Sequence, residues 1–271
     1  MARIVHKKRI SIVTVTLLIV AVLIVVWIAF CGYQWSWGPF HRLHDLKTAA
    51  LPGNAQQYAV QGVGPLENSP LAGKHIVFLG SSVTYGTSAK GVSFADYIAA
   101  RNGCPMTKEA KSGTTLVSGS SDSYVARLKR LNVPHADIFV CQLSTNDASQ
   151  KKPIGMVADG FEIESFDTKT VAGAIEWIIA YAKTEWDCPV VFYTNPRYNS
   201  EAYADMVELL GQIAKKWNIT VIDLWNDEAF NDLTDEQRAL YMADAIHPTQ
   251  AGYLEWWTPV IEKDLYEVVA E

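Results

Sequence analysis

Residues 78–86 read Phe-Leu-Gly-Ser-Ser-Val-Thr-Tyr-Gly, an apolar run that stops at a glycine and two adjacent serines. Phe78 and Leu79 close a run that begins at His75. Four similar runs follow, Met106 to Ala110, Asp137 to Leu143, Pro189 to Thr194 and Ile219 to Leu224. Between them lie stretches of helical period near Ser93 to Arg101, Ser121 to Leu131, Thr170 to Trp186 and Ser200 to Trp217, and a last one runs from about Thr249 to Val268. Short Val, Ile and Phe runs without polar alternation fit strands buried on both faces, and the strand-helix alternation fits right-handed crossovers. The expected fold is therefore a three-layer α/β/α domain around a parallel sheet. The segment from Ala148 to Lys169 is the one long irregular insertion, and its place after the third strand puts it over the C-terminal edge of the sheet, where such folds keep their sites.

In that frame Ser81 and Ser82 sit at the end of the first strand, on a turn that opens a helical segment, where backbone N–H groups stabilise negative charge. Serines at such turns are also common helix caps, and local chemistry does not separate the two. A phosphate loop fits poorly, because the Gly80 to Gly86 spacing is wrong and no lysine follows the second glycine. A serine nucleophile needs a base, and a histidine base needs an orienting carboxylate. Of the six histidines, only His247 has an acid three residues before it, in Asp244-Ala245-Ile246-His247-Pro248. One tight turn brings Asp244 to the imidazole Nδ1 and leaves Nε2 for a serine, with Pro248 and Thr249 opening the final helix. Asn146, in Ser144-Thr145-Asn146-Asp147, and the backbone N–H of Gly113, in Lys111-Ser112-Gly113-Thr114-Thr115, are donors suited to an oxyanion. Taken singly, each is an ordinary turn residue.

As an ordered set these segments resemble the four blocks of the SGNH hydrolases, the GDSL-type esterases and lipases: GSSVT, SGTT, STND and DAIHP. The resemblance spans roughly residues 74 to 268. It implies that Ser82 is the nucleophile, His247 the general base and then acid, and Asp244 its orienting partner. It implies an oxyanion hole from Ser82 N–H, Gly113 N–H and the Asn146 side chain, and a flavodoxin-like five-stranded sheet of order 2-1-3-4-5. Two positions depart from the family pattern. Ser81 replaces an aspartate, and a carboxylate restored there is expected to raise the pKa of His247. Ser144 replaces a glycine, which is expected to restrict the turn that aims Asn146.

The function so implied is hydrolysis of carboxylic esters through an acyl-Ser82 intermediate, without a cofactor; no His/Cys/Asp cluster has the spacing of a metal site. Two alternatives stay open: an O-acyltransferase or O-acetyl esterase working on cell-surface glycans, and a surface binding module that retains the fold without turnover. The substrate-binding residues are not readable. Tyr85, Arg197, Tyr198 and the 148–169 insertion are candidates to line a pocket, although strand-end packing and solvent-facing charge account equally for Arg197 and Tyr198.

The N-terminus differs in kind. Arg3, Lys7, Lys8 and Arg9 precede Ile10 to Cys31, 22 residues without a charge. As a helix that run is roughly 33 Å long, enough to cross a bilayer core. A cleaved signal peptide would be shorter and end in small residues, whereas Trp27-Ile28-Ala29-Phe30-Cys31 offers neither a cleavage site nor a lipidation signal. The expected organisation is a cytoplasmic basic tail (1–9), a transmembrane signal anchor (10–31), a stalk rich in proline and glycine (32–73) and the hydrolase domain (74–271). The positive-inside rule places the N-terminus in the cytoplasm and the domain outside, with Trp35 and Trp37 suited to the outer interface. His41 and His44 read as juxtamembrane surface. Beyond residue 31 the chain carries 19 basic against 29 acidic residues, a net charge of −10, which argues against nucleic acid as a partner. Of the four cysteines, Cys31 sits at the membrane end and Cys141 inside a strand, and Cys104 and Cys188 are expected as free, buried thiols.

Overall fold

The computed structural model describes residues 11–35, 38–40 and 42–270. Arg3, Lys7, Lys8, Arg9, Trp37, His41 and the Trp35 side chain, to which the sequence assigns parts, lie outside the described residues. The chain divides into two units between Ala50 and Leu51. In the first, α1 (Ile12–Trp35) is followed by a turn at Gly38–Phe40 and by α2 (Arg42–Ala49). Among the described residues α1 is the one helix long and apolar enough to cross a membrane. In α2, Lys47 donates to Gln34 Oε1 at 2.8 Å and lies 4.8 Å over the Tyr33 ring.

The second unit starts with three single 3₁₀ turns, Pro52–Asn54, Gln56–Tyr58 and Val60–Gly62. Then come β1 (Ile76–Gly80), α3 (Ser82–Tyr85), α4 (Phe94–Asn102), β2 (Met106–Ala110), α5 (Tyr124–Leu128), β3 (Ile138–Gln142) and α6 (Thr145–Ser149). α7 (Val171–Trp186), β4 (Val190–Tyr193), α8 (Glu201–Trp217), β5 (Thr220–Ile222), α9 (Glu228–Asn231) and α10 (Asp235–Tyr241) follow. A π-helical turn, Gly252–Trp257, leads into α11 (Thr258–Ala270). All strands pair in parallel in the order β2-β1-β3-β4-β5.

Side chains alternate across the sheet, as strand geometry requires. Val77, Leu79, Phe139, Cys141 and Phe192 meet α5, α7 and α8 on one face. On the other face Ile76, Phe78, Ile138, Val140 and Tyr193 meet α4 and the C-terminal helix. There the Phe94 ring lies 5.8 Å from Phe78, 5.0 Å from Tyr193 and 5.8 Å from Trp257. Each such side chain contributes roughly 1.5–3 kcal/mol by leaving water. β2 and β5 are the edge strands; the residues of β2 are half-buried and include the charged Lys108 and Glu109, as suits an edge. All four cysteines are free and buried.

Three expectations are revised. α5 is shorter than the 121–131 stretch, because the Ser123 hydroxyl accepts from Ala126 N–H and sets the helix start. The 148–169 insertion overhangs the sheet edge only at its two ends. Its middle lies along α7 and α8, where the fully buried Glu176 accepts from Ala158 N–H at 2.8 Å and pairs with Lys216, and Phe161 and Phe166 pack on Trp217. A buried carboxylate needs such partners, and the insertion's own backbone supplies one.

The third revision concerns the stalk. From residue 51 onward it belongs to the compact unit. Asn54, almost wholly buried, donates to the Ser88 carbonyl at 2.7 Å and accepts from Gln250 N–H at 2.8 Å. Gly53 lies so close to the Leu240 carbonyl and to Thr249 that a Cβ there would collide with both. Removing buried partners of this kind costs about 1–3 kcal/mol each. A fragment beginning at residue 51 is therefore expected to melt cooperatively, and one beginning at residue 60 at a Tm several degrees lower. Asn54→Ala should lose about 2 kcal/mol in urea unfolding; equal melting of all three would remove the role given to Asn54.

Candidate active site

β1 ends at Gly80, which is fixed as glycine because a Cβ would run into the Thr84 hydroxyl. The chain then turns through Ser81 into α3, a single turn closed by Gly86 at φ +84°. Ser82 opens that turn, so its own N–H has no helical acceptor. Its Oγ lies 2.8 Å from His247 Nε2, across 165 residues of chain.

His247 is held from its other side. Nδ1 lies 2.8 and 3.0 Å from the Asp244 carboxylate oxygens, and Asp244 Oδ1 also accepts from the backbone N–H of Ile246 and of His247, both at 2.8 Å. The loop carrying the pair is closed at its base by an antiparallel bridge between Met242 and Pro248 and by Ala243 N–H donating to the His247 carbonyl. Pro248 is thus a bridge residue, and the final helix starts after Thr249, whose hydroxyl accepts from Gly252 N–H. Burial pushes the Asp244 carboxyl up, but its bond to His247, the imidazole charge and the two N–H groups outweigh it and hold it at about 2. About half of its side chain, 49%, is exposed. Asp244 therefore stays ionised at any pH where an imidazole can serve as a base.

Ser81 faces the other way. Its N–H and hydroxyl both donate to Gln142 Oε1, at 2.9 and 3.2 Å, and Thr84 donates to the same oxygen at 2.9 Å. Ser81 is fully buried, with no bond to His247 among the described residues, so a carboxylate there would face Gln142 and not the imidazole. Gln142 Nε2, buried in the same cluster, has no hydrogen-bond partner among the described residues.

The Gly113 loop and the segment after β3 are tied together. Ser144 Oγ and Asn146 Nδ2 donate to the Thr114 carbonyl, at 3.1 and 3.0 Å, and Gln150 Nε2 reaches the Gly113 carbonyl at 3.4 Å. Gly113 is exposed, at φ +78°, with open space where a Cβ would stand. Ser144 sits at φ −72°, ψ 124°, a conformation open to any residue, so its replacing glycine does not strain the turn; its hydroxyl instead caps α6 by accepting from Asn146 N–H.

Four further residues hold these parts; Arg127, Asn195 and Tyr253 lie outside the four blocks, and Asp147 closes STND. Arg127, buried on α5, donates to the Gly80 carbonyl at 2.7 Å, to the Glu109 carbonyl at 2.8 Å and to Thr114 Oγ1 at 3.2 Å, so it joins the ends of β1 and β2 to the glycine loop. Asn195, after β4, donates to the Ile246 carbonyl in the Asp-His loop. Tyr253 on the π-helical turn donates to the Val83 carbonyl at 2.6 Å. Asp147 is nearly fully buried and accepts from Leu116 N–H at 2.8 Å and Val117 N–H at 3.1 Å. Burial pushes its carboxyl up to about 6, against those two bonds, which favour the charge. Of the residues considered as pocket lining, Tyr198 packs on Tyr203 and Trp225 while it and Arg197 border a hollow of about 490 Å³ beside Asp244. Tyr85 is exposed.

Compared with known proteins, residues 78–254 match the GDSL-like Lipase/Acylhydrolase family. None of the curated proteins matches the chain. Solved structures share its fold. A protein of Lactobacillus plantarum is 22% identical over 73% of this chain and 97% of its own, with a TM-score of 0.60. A protein of Bacteroides ovatus assigned as a GDSL-like lipase is 19% identical over 72% and 98%, with a TM-score of 0.53. A protein of Desulfitobacterium hafniense assigned to the lipolytic G-D-S-L family is 16% identical over 70% and 98%, also at 0.53.

Asp147 supplies a test of how the glycine loop is held. Its folded pKa of about 6 lies above the ordinary 3.8. The folded chain therefore keeps a proton that the unfolded chain has released, and stability falls as pH rises from about 4 to about 6. In Asp147→Asn that slope is expected to vanish from urea melts taken between pH 4 and 7. An amide also offers one acceptor oxygen to two N–H groups, so turnover should drop about tenfold through a loosened loop. A variant with the parental slope and rate would refute the tie.

Proposed function

Because the chain belongs to the GDSL-like Lipase/Acylhydrolase family, we propose that it is a serine esterase that hydrolyses carboxylic esters through an acyl-Ser82 intermediate. The observation that carries this reading is the unbroken line of contacts from Ser82 Oγ to His247 Nε2, 2.8 Å, and from His247 Nδ1 to Asp244, 2.8 Å.

In the reading, His247 Nε2 takes the Ser82 proton as Oγ attacks the ester carbonyl. Asp244 holds the imidazole in the tautomer that leaves Nε2 free and stabilises the imidazolium that forms. The tetrahedral oxyanion is taken by Ser82 N–H, Gly113 N–H and the second amide hydrogen of Asn146, the first being engaged by Thr114. His247 then returns the proton to the departing alkoxide, and the alcohol leaves. Water, deprotonated by the same imidazole, attacks the acyl-serine; the acid is released and Oγ regains its proton. One water is consumed per ester cleaved.

The site is proposed to work outside the cell, held by residues 10–31 as a single-pass signal anchor with the N-terminus in the cytoplasm. The length and apolar surface of α1 support a span, and the basic residues before it support that orientation.

Two outcomes are expected. A fluorophosphonate probe should label the parent and Ser81→Ala but not Ser82→Ala, and Ser82→Ala or His247→Ala should lose at least about 10³-fold in ester hydrolysis. Labelling that depends on Ser81 and not on Ser82 would overturn the assignment. In intact cells the domain should be digested by added protease and stay with membranes at alkaline pH; a protected domain would reverse the proposed orientation.

A further inference from the structure

α3 is one turn of four residues. A first helical turn fixes several dihedrals for a single hydrogen bond, so a turn this short does not hold itself, and its place comes from its surroundings. Ser82 nevertheless keeps Oγ at 2.8 Å from His247 Nε2, in a kind of site where a misplacement of about 1 Å costs roughly 10²-fold in rate. What grips the turn is a set of buried hydroxyls whose bonds go to the neighbours of Ser82.

On the sheet side the grip is at Thr84, two residues past Ser82. Its hydroxyl donates to Gln142 Oε1 at 2.9 Å, so the Tyr193 O–H, 2.6 Å away, is the donor to Thr84 Oγ1. This chain of bonds runs from β4 through the turn to β3. On the helix side the grip is at Val83. The N–H groups of Tyr85, Gly86 and Thr87 go to the Ser81 and Ser82 carbonyls, and Val83, the next carbonyl, takes the Tyr253 O–H at 2.6 Å. Tyr253 stands on the π-helical turn Gly252–Trp257, an arrangement that is rare in proteins and recurs at functional sites.

Both tyrosines are fully buried in one aromatic layer, where the Phe94 ring lies 5.0 Å from Tyr193 and 6.3 Å from Tyr253. The same layer holds a third, Tyr97 on α4, equally buried, which donates to the Tyr58 carbonyl at 2.5 Å. Three hydroxyls of like burial and like bond length thus have different addresses, two in the nucleophile turn and one in the segment that precedes the sheet.

We propose that Tyr193, acting through Thr84, and Tyr253, acting through Val83, are positioning residues for the chemical step, which hold Ser82 Oγ and its N–H where attack on the ester carbonyl takes place. The proposal rests on the serine-esterase reading above and adds the groups that preorganise its nucleophile.

The test compares Tyr193→Phe, Tyr253→Phe and Tyr97→Phe in the full-length chain in detergent micelles; each removes one oxygen atom and keeps the ring. All three are expected to melt a few degrees below the parent, by similar amounts. Only the first two should lose rate: at least about tenfold in kcat on p-nitrophenyl acetate, with KM within about twofold, and at least about tenfold in the rate of fluorophosphonate labelling. Tyr97→Phe should keep the parental kcat and labelling rate. At Thr84, valine should reproduce the loss seen in Tyr193→Phe, and serine, which keeps the hydroxyl, should recover most of it. Rates that follow Tm alike in all three tyrosine variants, or a loss carried by KM, overturn the positioning role and leave the esterase intact. A parent that hydrolyses no ester and takes no probe overturns the esterase reading, and the positioning role with it.

Discussion

Where a parallel sheet ends, its strands leave backbone carbonyls and N–H groups pointing past the last hydrogen bond, all at one edge. In this protein the buried guanidinium of Arg127 takes the carbonyls of Gly80 and Glu109, and the Gln142 side chain takes the N–H of Ser81. Both side chains lie inside the domain, where an unmet polar group costs about 1–3 kcal/mol. Satisfying the edge and aiming the nucleophile turn are therefore one event. Arg127 adds Thr114 to the same junction, so the glycine loop is set by the group that terminates β1 and β2.

The remaining parts are hung from this edge by single side chains reaching over long stretches of sequence. Asn195 carries the Asp-His loop from β4, Tyr253 holds α3 from the C-terminal helix, and Asn54 spans Ser88 and Gln250 from a segment that precedes the sheet. Electrostatics then differ between two acids, Asp244 and Asp147. Asp244 lies half in water and is surrounded by donors, which keeps it charged; Asp147 lies in the interior, where two donors do not fully offset the loss of water. One serves a proton transfer, the other a loop.

Strands and their order are legible in the sequence because both signals are local: four short apolar runs and the more polar Met106 to Ala110, separated by helical periods, and a resemblance carried by four blocks. The long helices α7 and α8 read correctly for the same reason. The helices α9 and α10 do not, since Asp227 to Tyr241 is polar and short, and its start signals, Asp227 and the Thr234–Gln237 capping box, look like any loop. The residues that approach one another, Ser82, Asp244 and His247, stand at strand ends and turns with distinctive neighbours. Arg127, Gln142 and Asn195 do not announce themselves, because a buried polar side chain looks like a surface one until its partners are known. The segment from residue 51 misleads by composition: glycine and proline suggest a tether, whereas Gly53 is there because two backbones approach too closely for a side chain.

The Ser81–Gln142 contact also bears on how such a chain can change by descent. Gln142 presents its oxygen to Ser81, and that oxygen already receives the N–H and hydroxyl of Ser81 and the hydroxyl of Thr84. An aspartate at position 81 would set a carboxylate against it. Turning the amide over would offer Nε2 to the newcomer but strip two neighbouring donors of their acceptor. The two positions, 61 residues apart, are thus coupled through one oxygen atom, and a change of side chain at the first is felt at the second.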